Sequence, residues 1–483
     1  MTACKRSDDY PFRRTYFAWP YLIACAALAL GELLGFAMSG YSAAWPLMLF
    51  ATVLSALIGY GWEIRHWPLV TLLLLGAALA MRTESLRARV FDAVEYSSSP
   101  FAAELHVDRV LTGAFDTMYN GVPMRVIIRG ENPPRPAIGE RWLCSGWLER
   151  RARVDRARRI LWVSGRGACA EKRADDDSCA FIKALRRFRS RLLVTAGYGL
   201  ERNPAVAKLV KAIALGERSA LSADQRRMFV DAGTVHVFAI SGLHIGVIAW
   251  GIVYLLMIFT FFPLRWIALP MAPILGSYIY MIGMPPSALR AGVMAILYFS
   301  APMFFRRPDG LVAWAITFLG FHLWNPALLF SVGSLMSFTV MLGILLFVRW
   351  AEAFKSETLV RFGVTSAAWA AGVGISAHVF ARFTVGGLAA NLLLVPIAGG
   401  CVVLGLLGAV IGLFSPWLGA HFNNACALLI SAMSGVSGLV AGFPWSSFEI
   451  APWSFWQYAA WYAVLVLTLY LIRSVYLHRK EYL

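Results

Sequence analysis

Residues 236–247 read HVFAISGLHIGV and open one of the chain's long apolar stretches. Two histidines, a serine and two glycines stand where an ordinary membrane helix carries leucine. On a helix turning about 100° per residue, with His236 at zero, His244 falls near 80°, Ser241 near 140° and Thr234 near 160°. Gly242 and Gly246 fall at about 240–280°, on the other side. Such a helix has a polar arc and, opposite it, a Gly-x-x-x-Gly face that lets a second helix approach closely. Polar groups in a span face the bundle interior or a water-filled cavity rather than lipid. The helix is therefore expected to be central, with His236, Ser241 and His244 on its polar face and Gly242 and Gly246 for packing.

Two further roles are open for the same residues. The histidines can be structural, hydrogen-bonded to neighbouring helices. Alternatively Ser241 and His244, three residues apart, form the serine–histidine dyad of an intramembrane hydrolase. Against the dyad, residues this close on one helix rarely present nucleophile and base to the same carbonyl, and no oxyanion-hole loop is evident. A zinc site needs more ligands, and the other histidines form no spaced cluster, so no metal and no cofactor are expected.

The surrounding chain is that of a membrane protein. Of its 483 residues 59% are hydrophobic, against about 45–50% in soluble domains, and the mean hydropathy is +0.63. Apolar runs of about 18–25 residues, enough to cross a hydrocarbon core, fall near 16–38, 43–60, 67–82, 233–258, 265–283, 287–304, 309–324, 327–349, 364–383, 386–413, 417–441 and 453–472. The expected architecture is a polytopic α-helical membrane protein of about 10–12 spans. With the N-terminus inside, Arg265, Arg306, Arg307, the 349–361 loop and the basic tail all fall inside, and the short outer loops carry no Lys or Arg, as the positive-inside rule requires. The net charge of +17 is partly this orientation signal.

The long polar region at 83–230 then lies outside. Residues 92–172 alternate in hydropathy and are punctuated by Gly and Pro, which argues for a small β-barrel or sandwich. Its cysteines suit an oxidising compartment, and a Cys144–Cys169 disulfide is expected. Residues 179–231 read as helices, with Phe181, Leu185, Phe188 and Leu192 forming an apolar stripe beside Arg186, Arg187, Arg189 and Arg191. That pattern suits a helix lying on a membrane surface.

The stretch GTVHVFAISGLHIGVIAW, residues 233–250, closely resembles the signature helix of the ComEC competence family. AIALGERSALSADQRRMFVDAG upstream, PPSALRAGVMAI from Pro285 and GLAANLLLVPIAG from Gly387 are similar to further elements of that family. The resemblance implies an inner-membrane channel that admits single-stranded DNA during natural transformation, with an OB-like extracytoplasmic domain. Two departures stand out. The chain has no His-x-His-x-Asp-His element of the metallo-β-lactamase-like domain that many members carry, so a separate nuclease is expected, alongside a DNA receptor and a cytoplasmic DNA-translocating motor. The family's GFQLSF element is GSLMSF at 333–338, with Leu335 in place of glutamine.

A strand with one negative charge per nucleotide needs a wetted, positively charged path. Arg290 is the leading intramembrane residue; at about 2.5–3.5 kcal/mol to insert, it either faces a cavity or snorkels to the outer interface. Asn391, Ser334 and Ser337 are weaker pore-lining candidates. Outside, Arg150, Arg151, Arg153, Arg156, Arg158 and Arg159 lie beside Trp147 and Trp162. Basic grooves with aromatic platforms bind single strands, each stacked base contributing about 1–3 kcal/mol. Trp147 is the preferred stacking residue; the alternative places Trp142 and Trp162 in a barrel core. The Arg186–Arg191 cluster suits anionic lipid headgroups. No Walker A loop is present, so ATP is not expected to be hydrolysed.

The resulting division is 1–85, the first three spans; 86–178, the OB-like domain; 179–231, interfacial helices; and 232–483, the channel domain. Competing functions are a small-molecule or lipid-linked substrate transporter, a hydrolase using Ser241 and His244, and a membrane scaffold.

Overall fold

A computed structural model describes residues 23–32, 34, 75–82, 100–106, 109–111, 114–119, 122–128, 141–149, 159–163, 169–172, 180–217, 223–237, 241–260, 263–324, 332–351, 356–454, 456–465, 467 and 468. The chain divides into two compact units, one holding most of residues 1–174 with 308–331 and the other most of the remainder.

In the first unit, α1 (Ile23–Glu32) and α2 (75–82) are apolar, as is α9 (Gly310–Trp324). Asp309 starts α9 by accepting the backbone N–H groups of Leu311 and Val312 at 2.8 and 3.2 Å, the usual N-cap device. Cys25 of α1 donates to the Ala315 carbonyl of α9. The expected span at 43–60 lies outside the described residues.

The strands of the polar region are β1 (Pro100–His106), β2 (Arg109–Leu111), β3 (Ala114–Tyr119), β4 (Val122–Ile128), β5 (Arg141–Glu149), β6 (Arg159–Val163) and β7 (Cys169–Lys172). Nine-residue β5 organises them, pairing antiparallel with β1 along its length, with β6 at its end and with β7 near its start. β4 pairs antiparallel with β3 and parallel with β6. The unbroken β1–β5 register places Leu105 opposite Trp142, and Leu105, Trp142 and Cys144 are all buried. Because side chains alternate along a strand, position 147 belongs to the other face, where it pairs with position 162.

The same register corrects the expected disulfide. Cys144 pairs with Ala170 and Cys169 with Ser145, so the two cysteines occupy positions on opposite faces. Cys144 is buried and forms no disulfide.

The second unit is helical: α3 (Ala180–Thr195), α4 (Pro204–Leu215), α5 (Ala223–Asp231), α6 (Gly242–Thr260), α7 (Ala268–Met281), α8 (Pro286–Ser300), α10 (Val332–Ala351), α11 (Glu357–Val379), α12 (Gly386–Ile411), α13 (Pro416–Ala441) and α14 (456–465). Among the described residues six helices, α6, α8, α10, α11, α12 and α13, are long and apolar enough to cross a membrane; α7 and α9 are shorter. The chain is a multi-pass helical membrane protein, with fewer full-length spans here than the hydropathy runs implied.

Its core forms where α4 inserts between α12 and α13. Leu209, Val210 and Ile213 of α4 are buried against Leu394, Ala398 and Val402 of α12 and Cys426, Ile430 and Met433 of α13. Within 179–231, Phe181 and Phe188 of α3 are exposed, whereas Leu192 and seven of the twelve residues of α4 are buried in the protein. Small residues and buried polar bonds hold this region, as expected where lipid offers no hydrophobic drive for helices to associate. Thr195 Oγ1 donates to the Ala409 carbonyl at 2.6 Å. The Asn423 amide donates to the carbonyls of Thr195 and Tyr198 at 2.9 and 3.0 Å.

A Cβ at Gly419 would lie 2.6 Å from Gly412 Cα and 3.0 Å from the Gly408 carbonyl, so α12 and α13 touch backbone to backbone. A Cβ at Gly435, on the same helix, meets nothing within 4 Å among the described residues. Gly419→Ala is expected to destabilise the detergent-solubilised protein by about 1–3 kcal/mol through overpacking. Gly435→Ala is expected to be neutral or stabilising, by up to about 1 kcal/mol; thermal unfolding of the two variants side by side checks the crossing.

Candidate functional site

The single helix expected over 233–250 is two pieces. Gly233, at φ +71°, ends α5. Its N–H donates to the Val230 carbonyl and that of Thr234 to the Phe229 carbonyl, a Schellman closure that needs a left-handed residue where glycine stands. A Cβ there would also come within 3.0 Å of Gly387 Cα. His236 follows in a 3₁₀ turn, Val235–Val237, and is exposed. Thr234 is buried and its hydroxyl lies 3.2 Å from that of Ser437. The continuous polar arc therefore does not form, because the chain turns at Gly233 and the membrane helix begins only at Gly242.

Ser241 stands at the N-cap of α6 and His244 at its third residue. The Ser241 backbone N–H donates to His244 Nδ1 at 3.1 Å, and Ser241 Oγ lies 2.8 Å from the same nitrogen. An amide N–H can only donate, so Nδ1 is the unprotonated nitrogen and the ring proton sits on Nε2. The histidine reaches back as the glutamate or glutamine of a capping box does. His244 is 1% exposed, and its Nε2 has no hydrogen-bond partner among the described residues. As a hydrolytic pair the arrangement has nucleophile and base in contact. However, the base nitrogen is shared with an amide N–H, and among the described residues no carboxylate orients the far side of the ring.

The glycines of this helix do not behave alike. A Cβ at Gly242 would meet Ala291 of α8 at 3.6 Å, an ordinary contact, whereas at Gly246 it meets nothing within 4 Å among the described residues. Close glycine packing is found at α12–α13 instead.

Arg290 is placed by the turn before it. Gly283 and Met284 have positive φ, 88° and 48°, and their N–H groups close α7 on the Tyr280 and Ile279 carbonyls. Pro285 is extended and Pro286 opens α8, where a missing N–H costs nothing. Arg290 follows in the second turn and is 2% exposed, so it turns inward and does not snorkel. Its Nη2 donates to the Gly333 carbonyl of α10 at 2.9 Å, and its Cζ sits 4.8 Å from the centre of the Phe338 ring. Nε has no partner, and no carboxylate pairs with the guanidinium among the described residues.

Ser334, on the same helix, is 1% exposed with its hydroxyl unpartnered. Ser337 is half-buried, and Asn391 Oδ1 near the start of α12 is buried without a donor. The sequence pattern offers Ser334 and Ser337 alike as weaker candidates than Arg290; burial singles out Ser334, which shares a helix face with Phe338 four residues on. Sequence reading also passed over Glu32 in the first unit, wholly buried with both carboxyl oxygens unpartnered. Arg150, Arg151, Arg153, Arg156 and Arg158 lie outside the described residues; Arg159 begins β6 and pairs with Met124.

His244→Gln keeps an acceptor at the third helical position and is expected to leave the thermal midpoint near that of the unmodified protein. His244→Ala loses the cap and leaves a void, and is expected to cost about 2 kcal/mol. Unfolding of the purified variants in detergent decides between a capping role and an inert one.

The comparisons with known proteins bear on this same bundle. A family model described as Competence protein matches residues 213–475, from within α4 past α14 and more than half of the chain. ComE operon protein 3 of Bacillus subtilis (strain 168) is 27% identical over 221 residues, covering 46% of this chain and 28% of that protein. Uncharacterized protein YcaI of Escherichia coli (strain K12) is 25% identical over 286 residues, 52% of this chain and 37% of that one. The matched stretches thus span less than two-fifths of either relative's length. No solved structure matches the chain. On the family match across its membrane-spanning helices, the chain belongs to the competence protein family.

Proposed function

We propose that the protein is an inner-membrane channel through which single-stranded DNA enters the cytoplasm during natural transformation. The observation that carries this reading is the competence-family match, which runs over the bundle holding Arg290 and His244. Supporting it, the bundle buries several hydrogen-bonding groups that have no partner among the described residues: Arg290 Nε, His244 Nε2 and Ser334 Oγ. Buried donors without acceptors are costly in a finished protein core. They are the groups that a polar, anionic cargo would satisfy.

The β strands enter as the capture element, on the outer side. Positions 147 and 162 are register partners, and position 147 is out of phase along its strand with positions 142 and 144, which hold buried Trp142 and Cys144. That favours the stacking role for Trp147 and leaves Trp142 to the core. An OB-like closure of this sheet around a basic groove is part of the proposal. Membrane lipids are the other expected contact, and the strand's receptor, a nuclease and a cytoplasmic motor are the expected partners.

A second reading, hydrolysis by Ser241 and His244, draws on their 2.8 Å contact. Channel function requires no bond to break, so the two readings part at one substitution. In a transformable host, loss of the gene is expected to abolish DNA entry into the cytoplasm while DNA binding at the cell surface persists. Ser241→Ala is expected to retain transformation; loss of transformation with normal assembly would favour the hydrolase, and unaffected transformation after gene loss would refute the channel.

Capture is tested on the full-length protein. Single-strand binding should fall steeply with salt, as phosphate neutralisation releases counterions. Trp147→Ala should weaken it by roughly 1–3 kcal/mol. Affinity no higher than that of an unrelated basic membrane protein contradicts the capture role.

A further inference from the structure

Arg290 of α8 and Ser334 of α10 are both buried polar residues, on two helices in contact. The Arg290 guanidinium lies against one face of α10, bonded to the Gly333 carbonyl and held over Phe338. Ser334 follows Gly333 directly and shares a face with Phe338, since residues four apart on a helix stack one above the other. Position 334 therefore lies on the face of α10 that carries Phe338, over which the guanidinium sits. Arg290 is 2% and Ser334 1% exposed, and both Arg290 Nε and Ser334 Oγ lack partners among the described residues. Ser334 is also in the first turn of a 20-residue helix, whose N-terminal end favours negative charge.

A cation buried in a membrane bundle with no carboxylate calls for an anion. The donor set selects its kind. One arginine supplies a single positive charge, a planar fork suited to two oxygens of one group, and the serine adds a hydroxyl donor. A monoanion with two equivalent terminal oxygens matches both charge and geometry. A dianion would leave one charge uncompensated.

We propose that Arg290 and Ser334 form a binding site for one phosphodiester group, gripping a backbone phosphate without reading the base. The identity of the anion rests on the DNA-channel reading; the site itself rests on the geometry. Phospholipid headgroups carry the same phosphodiester chemistry. The near-complete burial of both side chains, away from the lipid-facing surface, favours the strand.

The test uses the full-length protein in neutral detergent with dimethyl phosphate as probe and uncharged trimethyl phosphate as control. Dimethyl phosphate is expected to raise the thermal midpoint of the unmodified protein and trimethyl phosphate to leave it unchanged. Ser334→Ala, a small change that preserves the fold, is expected to weaken the apparent affinity by about tenfold. Arg290→Gln should abolish the response, and Arg290→Lys should keep only part of it. No response in the unmodified protein, or the same response in Ser334→Ala and Arg290→Gln, overturns the site.

Competition identifies the source: displacement of the probe by a short thymidine oligonucleotide supports a strand, and displacement by phosphatidylglycerol alone overturns that assignment. The two proposals also fail separately. Probe binding with this pattern, but no DNA entry in cells, removes the channel and keeps the site. DNA entry with unchanged probe affinity in Ser334→Ala removes the site and keeps the channel.

Discussion

A guanidinium buried between membrane helices must be satisfied by something, and Arg290 is satisfied only in part. It bonds one carbonyl, that of Gly333, and rests on the Phe338 ring. Neither contact cancels its charge. Placing an arginine inside a membrane bundle costs free energy, a cost that a purely structural bundle avoids with leucine. The arrangement makes sense when the missing counter-charge arrives with the cargo.

Much of the remaining architecture serves to hold that charge in place. The double left-handed turn at Gly283–Met284 and the Pro285–Pro286 pair set where α8 begins, and so set the depth of Arg290. The Schellman turn at Gly233 and the Ser241–His244 cap set where α6 begins, beside α8. Behind them, α12 and α13 meet backbone to backbone through Gly412 and Gly419, with α4 wedged against both. Membrane helices gain little from burying apolar surface against each other, so close van der Waals contact and polar ties such as Asn423 supply the rigidity.

The sequence disclosed the class of this fold more readily than its breaks. Hydropathy runs identified the helices from α6 to α13, and alternation found β1, β4, β5 and β6, because both signals repeat over many residues. What stayed hidden were features set by single residues. Gly233 lies inside an apolar run, and periodicity carries straight through it, so three polar residues were assigned to one arc that the chain does not form. The glycine following α5 was the available signal. α4 falls in the 179–231 stretch expected to be interfacial from the Phe181–Leu192 stripe, yet seven of its twelve residues are buried. Arg290 and His244 were legible as unusual residues in apolar context; their partners were not. Ser334 outranks Ser337 only because of which side of α10 faces Arg290, and the β5–β7 register that separates Cys144 from Cys169 is likewise a matter of tertiary pairing.

The central claim, that the cargo strand passes the α8–α10 crossing, is tested most directly by the strand itself. Single-stranded DNA carrying photoreactive groups on its backbone phosphates can be presented to the full-length protein in liposomes, irradiated during entry, and its attachment sites mapped by mass spectrometry. Adducts on the peptides containing Arg290 and Ser334 are predicted, reduced when unmodified single strand competes. Adducts confined to the β strands at 100–172, with none on α8 or α10, would contradict the account.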